Sequence, residues 1–101
     1  MYCVIDGYEE VFTGSGEVIW AAPRGLTGFE AYVVDGTGAI QPFALIFPGT
    51  TTVVKYASAA TFTPSALPNG YACNEAVNWK FKGAENNTLV VSFSYDTGST
   101  P

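Results

Sequence analysis

A small antiparallel β-sandwich is the fold this sequence predicts, and three observations predict it. Clusters of Gly, Pro, Asn and Asp recur about every ten residues and cut the chain into short runs. The runs are rich in β-branched and aromatic residues, and the last two alternate apolar and polar side chains with the period of a strand. No interval between turn signals holds a helix of ordinary length. About eight short strands result, packed as two sheets face to face, with a small closed barrel as the alternative. A chain of 101 residues predicts one domain, with 97–101 as a flexible tail.

Tyr2 to Ile5 reads as the first strand, closed by Asp6-Gly7, with Tyr8 to Thr13 as its hairpin mate. Gly14-Ser15-Gly16 is a turn. Glu17 to Ala21 forms the next strand, with Val18 and Trp20 on one face, and Pro23 and Gly25 end it. Gly28 to Asp35 follows. Asp35-Gly36-Thr37-Gly38 is the strongest hairpin signal, because Asp and Gly tolerate the positive φ of primed turns.

Ala39 to Phe47 is an apolar run broken only by Gln41 and Pro42. A half-exposed strand should alternate, so both faces of this run are expected to be covered. Pro42 removes a ladder donor and favours an edge or a bulge, which makes a second subunit a candidate cover. Pro48-Gly49 turns the chain into Thr50 to Ala57. Ser58 to Gly70, with Pro64, Pro68 and Asn69-Gly70, is the least periodic stretch and reads as a binding loop or a crossover between sheets.

In Ala76 to Lys82, the side chains of Val77, Trp79 and Phe81 oppose those of Asn78, Lys80 and Lys82. Gly83 to Asn87 is a loop. Thr88 to Asp96 repeats the pattern, with Leu89, Val91, Phe93 and Tyr95 on one face. Trp20, Trp79, Phe81 and Phe93 are the expected core anchors.

Composition narrows the function classes. Hydrophobic residues are 48% and charged residues 13%, about half the usual charged fraction. The polar surface must therefore rest on Ser, Thr, Asn and Gly, which suits an extracellular or assembled protein better than a cytosolic enzyme. Net charge is −5, and residues 1–50 hold the whole surplus, six acids against Arg24. Four scattered cations cannot neutralise a row of phosphates, so neither nucleic acid nor an anionic membrane is an expected partner. Tyr2 to Phe12 is too acidic for a signal-peptide core, and no apolar run reaches transmembrane length. Cys3 and Cys73 are the only cysteines; they are candidates for a disulfide tying the first strand to the body, or for two buried thiols.

There is no histidine, so Ser-His-acid and Cys-His catalysis lacks its base, and zinc-ligand spacings are missing. Carboxylate pairs need no histidine. Glu9 and Glu10 are adjacent and point to opposite faces of a strand, whereas Glu9 with Glu17 or Glu30 could meet across strands. A solvated acidic face is the simpler reading. Asp35-Gly36-Thr37-Gly38 and Asp6-Gly7 lack the alternating oxygen ligands and closing acid of a calcium loop, and they read as turns. Asn86-Asn87-Thr88 matches a glycosylation sequon. Tyr8, Tyr32, Tyr56, Tyr71 and Tyr95 would serve sugars or a protein partner if they stand on a wet face. No catalytic residue, metal ligand or cofactor is expected.

Phe12-Thr13-Gly14-Ser15-Gly16, then Trp20, Ala22-Pro23-x-Gly25-Leu26-Thr27, Phe29 and Tyr32-Val33-Val34-Asp35-Gly36-x-Gly38 form an ordered set over residues 12–38. This set resembles the strand, W-x-x-P-x-G-v-T turn and V-V-x-G-x-G strand of small β-sandwich modules in bacteriophage tail and fibre proteins and bacterial surface proteins. Ala39-Ile40-Gln41-Pro42 stands where such modules often run into polyglycine, so their receptor-binding glycine lattice is not implied. The resemblance implies a structural module of a virion or cell surface.

The expected function is a non-enzymatic structural or adhesion module that forms a homo-oligomer or docks into a larger protein assembly. Phe43, Leu45, Ile46, Phe47 and Tyr71 are its candidate partner-binding residues. The alternative is a secreted carbohydrate-binding or inhibitor protein that uses Ser58 to Gly70 and the nearby tyrosines.

Overall fold

In the computed structural model, which describes residues 3–63 and 77–96, the described residues form nine strands and no helix. They are β1 (Cys3–Val11), β2 (Glu17–Ala22), β3 (Leu26–Val34), β4 (Ile40–Gln41), β5 (Phe43–Ile46), β6 (Val53–Tyr56), β7 (Ala60–Phe62), β8 (Val77–Lys82) and β9 (Thr88–Asp96). Sheet A has the order β1-β9-β3-β4, with β7 also paired to β3, and sheet B has the order β2-β8-β5-β6. Every pairing is antiparallel. The result is the expected sandwich rather than a closed barrel.

Alternation builds the core. Leu26, Phe29, Ala31 and Val33 of β3 and Leu89 and Val91 of β9 are buried on the inner face of sheet A. Opposite them stand Val18, Trp20 and Ala22 of β2, Trp79 and Phe81 of β8, and Phe43 and Leu45 of β5. Phe29 ties the sheets together: its ring meets Trp20 at 5.1 Å and Trp79 at 4.9 Å, both edge-on, and stacks on Phe62 at 4.8 Å. Trp20, Trp79 and Phe81 are buried as expected, and Phe93 is half-buried against Trp20. Trp79 is wholly inaccessible, and truncating it to Ala would cost about 3–5 kcal/mol.

Besides β7, which lies inside the Ser58 to Gly70 stretch that reads as a loop or crossover and pairs with β3, three elements differ from the sequence expectation. Asp6-Gly7 is not a turn, because Cys3–Val11 is one strand paired residue for residue with β9. A continuous partner of equal length supplies nine registered positions, which outweighs a two-residue turn preference. The Asp35 turn forms, but its positive φ falls on Gly38, at 86°, and not on Gly36. Asp35 therefore opens a longer loop, closed by the bonds from Asp35 N to Ala39 O at 3.0 Å and from Gly38 N to Asp35 O at 3.0 Å.

The third difference is the run Ala39 to Phe47. Its two halves belong to different sheets: β4 pairs β3 in sheet A, and β5 pairs β6 and β8 in sheet B. Pro42 sits at the crossing, where a residue without an N–H takes nothing from either ladder. The stretch looks apolar on both faces because the chain changes layers within it.

Gly25 shows why the Pro23 to Gly25 turn carries a glycine. Its φ is +82°, and a Cβ there would lie 2.2 Å from Asp96 O, the far end of β9. Asp96 N also donates to Gly25 O at 2.9 Å. This turn joins β2 in sheet B to β3 in sheet A, so the strand-turn-strand motif of residues 12–38 spans the sandwich.

Candidate functional site

Directly opposed residues in an antiparallel ladder point to the same face, so the registers fix both outer surfaces. On sheet A, Val11 lies beside Thr88, Thr88 beside Val34, and Val34 beside Ile40. The next row is Glu9, Val90 and Tyr32, and the row after it is Gly7, Ser92, Glu30 and Thr61. Val11 and Ile40 are each 49% exposed, and Ile5 further along β1 is 82% exposed. An apolar strip therefore crosses sheet A, bordered by the exposed carboxylates of Glu9 and Glu30. Thr61 Oγ1 donates to Glu30 Oε2 at 3.4 Å. Gly7 has no side chain, and over the paired strands β1 and β9 lies a shallow hollow of about 360 Å³ lined by Gly7, Glu9, Val90 and Ser92.

Sheet B carries the opposite charge. One outer row is Glu17, Lys82, Ala44 and Lys55, and the next is Ile19, Lys80, Ile46 and Val53. The three lysines are exposed, and Ile19 and Val53 at the two ends of the second row are 49% and 45% exposed. Three of the four cations in the chain thus share one face. Lys80 and Lys82 were readable from their alternation with Trp79 and Phe81. Lys55 was not, because its place beside them depends on β5 pairing with both β6 and β8.

Between the open edges of the sheets runs a groove that the sequence did not reveal. One end, of about 450 Å³, is lined by Asp6 and Tyr8 of β1, Ile19 and Trp20 of β2, and Phe93 and Tyr95 of β9. The other end meets Glu10, Thr13, Glu17 and Val18. Tyr8 spans both, and its hydroxyl donates to Glu10 Oε2 at 3.2 Å. Partial burial, and then the Glu10 charge, raise the Tyr8 hydroxyl above its ordinary pKa. Reading β1 as a hairpin hid this groove, since only a continuous strand brings Asp6, Tyr8 and Glu10 to one face.

Phe43 and Leu45, expected to meet a partner, are 4% and 0% exposed in the domain's own core. Ile46 and Phe47 are half-buried: Ile46 lies on the outer face of sheet B, whereas Phe47 packs edge-on against Trp79 at 5.5 Å. Tyr71, Cys73, most of the Ser58 to Gly70 stretch and the 97–101 tail lie outside the described residues, so the Cys3 to Cys73 pairing is not described; the exception within that stretch is Ser58 to Thr63, which contains β7. Glu9 and Glu30 share a face but stand on neighbouring rows with β9 between them, and Glu17 lies in the other sheet. Asn86 is exposed in its loop at a φ of 72°.

The Asp35 carboxylate is occupied by its own loop. Its Oδ1 accepts from Thr37 Oγ1 at 2.6 Å, Thr37 N at 2.8 Å and Ala39 N at 3.1 Å, and its Oδ2 from Gln41 Nε2 at 2.8 Å. The Thr37 hydroxyl, the backbone N–H groups of Thr37 and Ala39 and the Gln41 amide hold it below the ordinary carboxylate pKa. Such an arrangement is a structural lock.

Comparison of the chain with protein-family models, with curated proteins and with solved structures finds no match.

Proposed function

We propose that this chain is a non-enzymatic structural or adhesion module of a virion or cell surface that works by assembling with other protein. The apolar content of both outer faces carries this reading. A solitary sandwich turns polar side chains outward, yet here Val11, Ile40, Ile19 and Val53 are about half exposed in rows that already contain half-buried valines and Ile46. Contiguous apolar surface rimmed by charge is the usual mark of a protein interface. The resemblance of residues 12–38 to tail, fibre and surface modules supports the same reading and, with it, an extracellular or virion-surface location.

Light scattering coupled to size exclusion, across a concentration series and with and without reductant, tests it. A mass above that of one chain, rising with concentration, is expected. A single-chain mass throughout would overturn the reading, and sensitivity to reductant would assign a part in assembly to Cys3 or Cys73.

The groove favours a second reading, a secreted carbohydrate-binding protein. Tyr8, Phe93 and Tyr95 present aromatic surface beside the Asp6 carboxylate, a combination suited to stacking on a sugar ring and accepting from its hydroxyls. Loss of glycan-array binding on Tyr8→Ala would support it, and silence of the native protein across a broad array would remove it.

A further inference from the structure

The two outer faces differ in charge as well as carrying apolar rows, and the spacing of the charges is the same on both. Glu9 and Glu30 are two strands and one side-chain step apart, across β1, β9 and β3. Lys55 and Lys80 are likewise two strands and one step apart, across β6, β5 and β8. With strands spaced by about 4.8 Å and alternate residues by about 6.8 Å, each diagonal is about 12 Å long. All four residues are exposed, and none of the three lysines on sheet B makes an ion pair among the described residues.

We propose that the lysine face of sheet B docks onto the acidic face of sheet A of a second copy of this chain, so that copies stack head to tail. Resting on the assembly reading, the proposal adds to it the partner, the two surfaces and their polarity. In the stack, Lys55 and Lys80 of one copy reach Glu9 and Glu30 of the next. With Lys80 at Glu9 and Lys55 at Glu30, the row that Lys80 shares with Ile19, Ile46 and Val53 lies along the row of Glu9, Val90 and Tyr32.

The hollow over Gly7 lies between Glu9 and Glu30 on the receiving face, with Ser92 beside it, and it gives an incoming lysine stem space that a side chain at position 7 would fill. Like faces repel, acid against acid and lysine against lysine, which disfavours the two-fold alternatives. Docking between two different patches does not use either patch up, so the stack continues into a ring or a filament rather than stopping at a dimer.

Two charge-reversed variants test this without disturbing the core. One carries Lys55→Glu with Lys80→Glu, and the other Glu9→Lys with Glu30→Lys. Sedimentation velocity at about 0.02 M and about 0.5 M salt reads the result, the higher salt screening exposed pairs. The native protein should assemble at low salt and shift toward single chains at high salt. Each variant alone should remain a single chain, and an equimolar mixture should assemble again, because each then finds its complement. Gly7→Val should weaken native assembly at least several-fold without lowering the melting temperature.

If the native protein assembles but both variants assemble equally well, the face assignment is wrong and the assembly reading stands. Loss in both variants without rescue in the mixture would also overturn the head-to-tail pairing. A native protein that stays single at low salt removes the assembly reading itself.

Discussion

Asp6-Gly7 and Asp35-Gly36 are the same dipeptide with opposite fates. The first lies in the middle of the longest class of strand in the fold, and the second opens a loop between β3 and β4. What separates them is the hydrogen bonding on offer beyond the dipeptide. The Asp35 carboxylate finds four donors within the next six residues, from Thr37, Ala39 and Gln41. Asp6 finds one, the adjacent Gly7 N at 2.8 Å, while its neighbours along β1 meet β9 without a break. A turn signal is therefore as strong as the second, fourth and sixth residues after its Asp, and a long complementary strand elsewhere in the chain overrides a weak one.

The sharpest way to break this comparison is to add a side chain at the glycine of each region. Gly38→Val places a β-branched residue at a φ of +86°, where the surrounding space is open, so the penalty comes from the backbone alone. A loss of about 1–2 kcal/mol in urea unfolding is expected. Gly7→Val meets an ordinary strand backbone with its nearest neighbour, Val91 O, 3.7 Å from the new Cβ. No loss, or a gain of about 0.5–1 kcal/mol, is expected there. Equal penalties at the two sites would mean that β1 does contain a turn.

Asp35→Ala comes next in size. Removing the shared acceptor leaves the loop donors to water, and the melting temperature should fall by less than for Gly38→Val. The pH dependence carries the sign. The folded carboxyl lies below its ordinary pKa of 3.8, so folding favours the charged form. Its contribution is complete above the ordinary carboxylate range and is lost as the pH falls through the lower folded value. The gap in melting temperature between native protein and Asp35→Ala should be constant near neutrality and close in strong acid. A gap that widens in acid would refute the lock.

The smallest effect belongs to Asp6→Ala, an exposed strand position with one local bond. Its unfolding midpoint should stay within about 0.5 kcal/mol of native.

Much of the fold was legible because period-2 patterning is local. Thr88 to Asp96 was read with both boundaries right, and Trp20, Trp79 and Phe81 were recognised as core from their alternation alone. Where the reading failed, the deciding information was non-local. Nothing within Ala39 to Phe47 announces that Ile40 will pair in one sheet and Phe43 in the other. The same holds for the candidate surfaces: the outward aim of Lys80 and Lys82 was in the pattern, whereas the gathering of Lys55, the matched diagonals and the groove beneath Tyr8 exist only once strands distant in sequence are neighbours.

The pairing of β1 with β9 has a kinetic consequence. Its register joins Cys3 to Asp96, so the strand formed from the beginning of the described chain waits for one formed near its end. Closing so long a loop costs entropy before any ladder bond repays it, which places the docking of β1 late on the folding route. Until then β9 has one bare edge, and a β1 strand from a neighbouring chain fits that edge as well as the cognate one. Concentrated refolding should therefore produce exchanged pairs, whereas dilute refolding lets each chain close on itself.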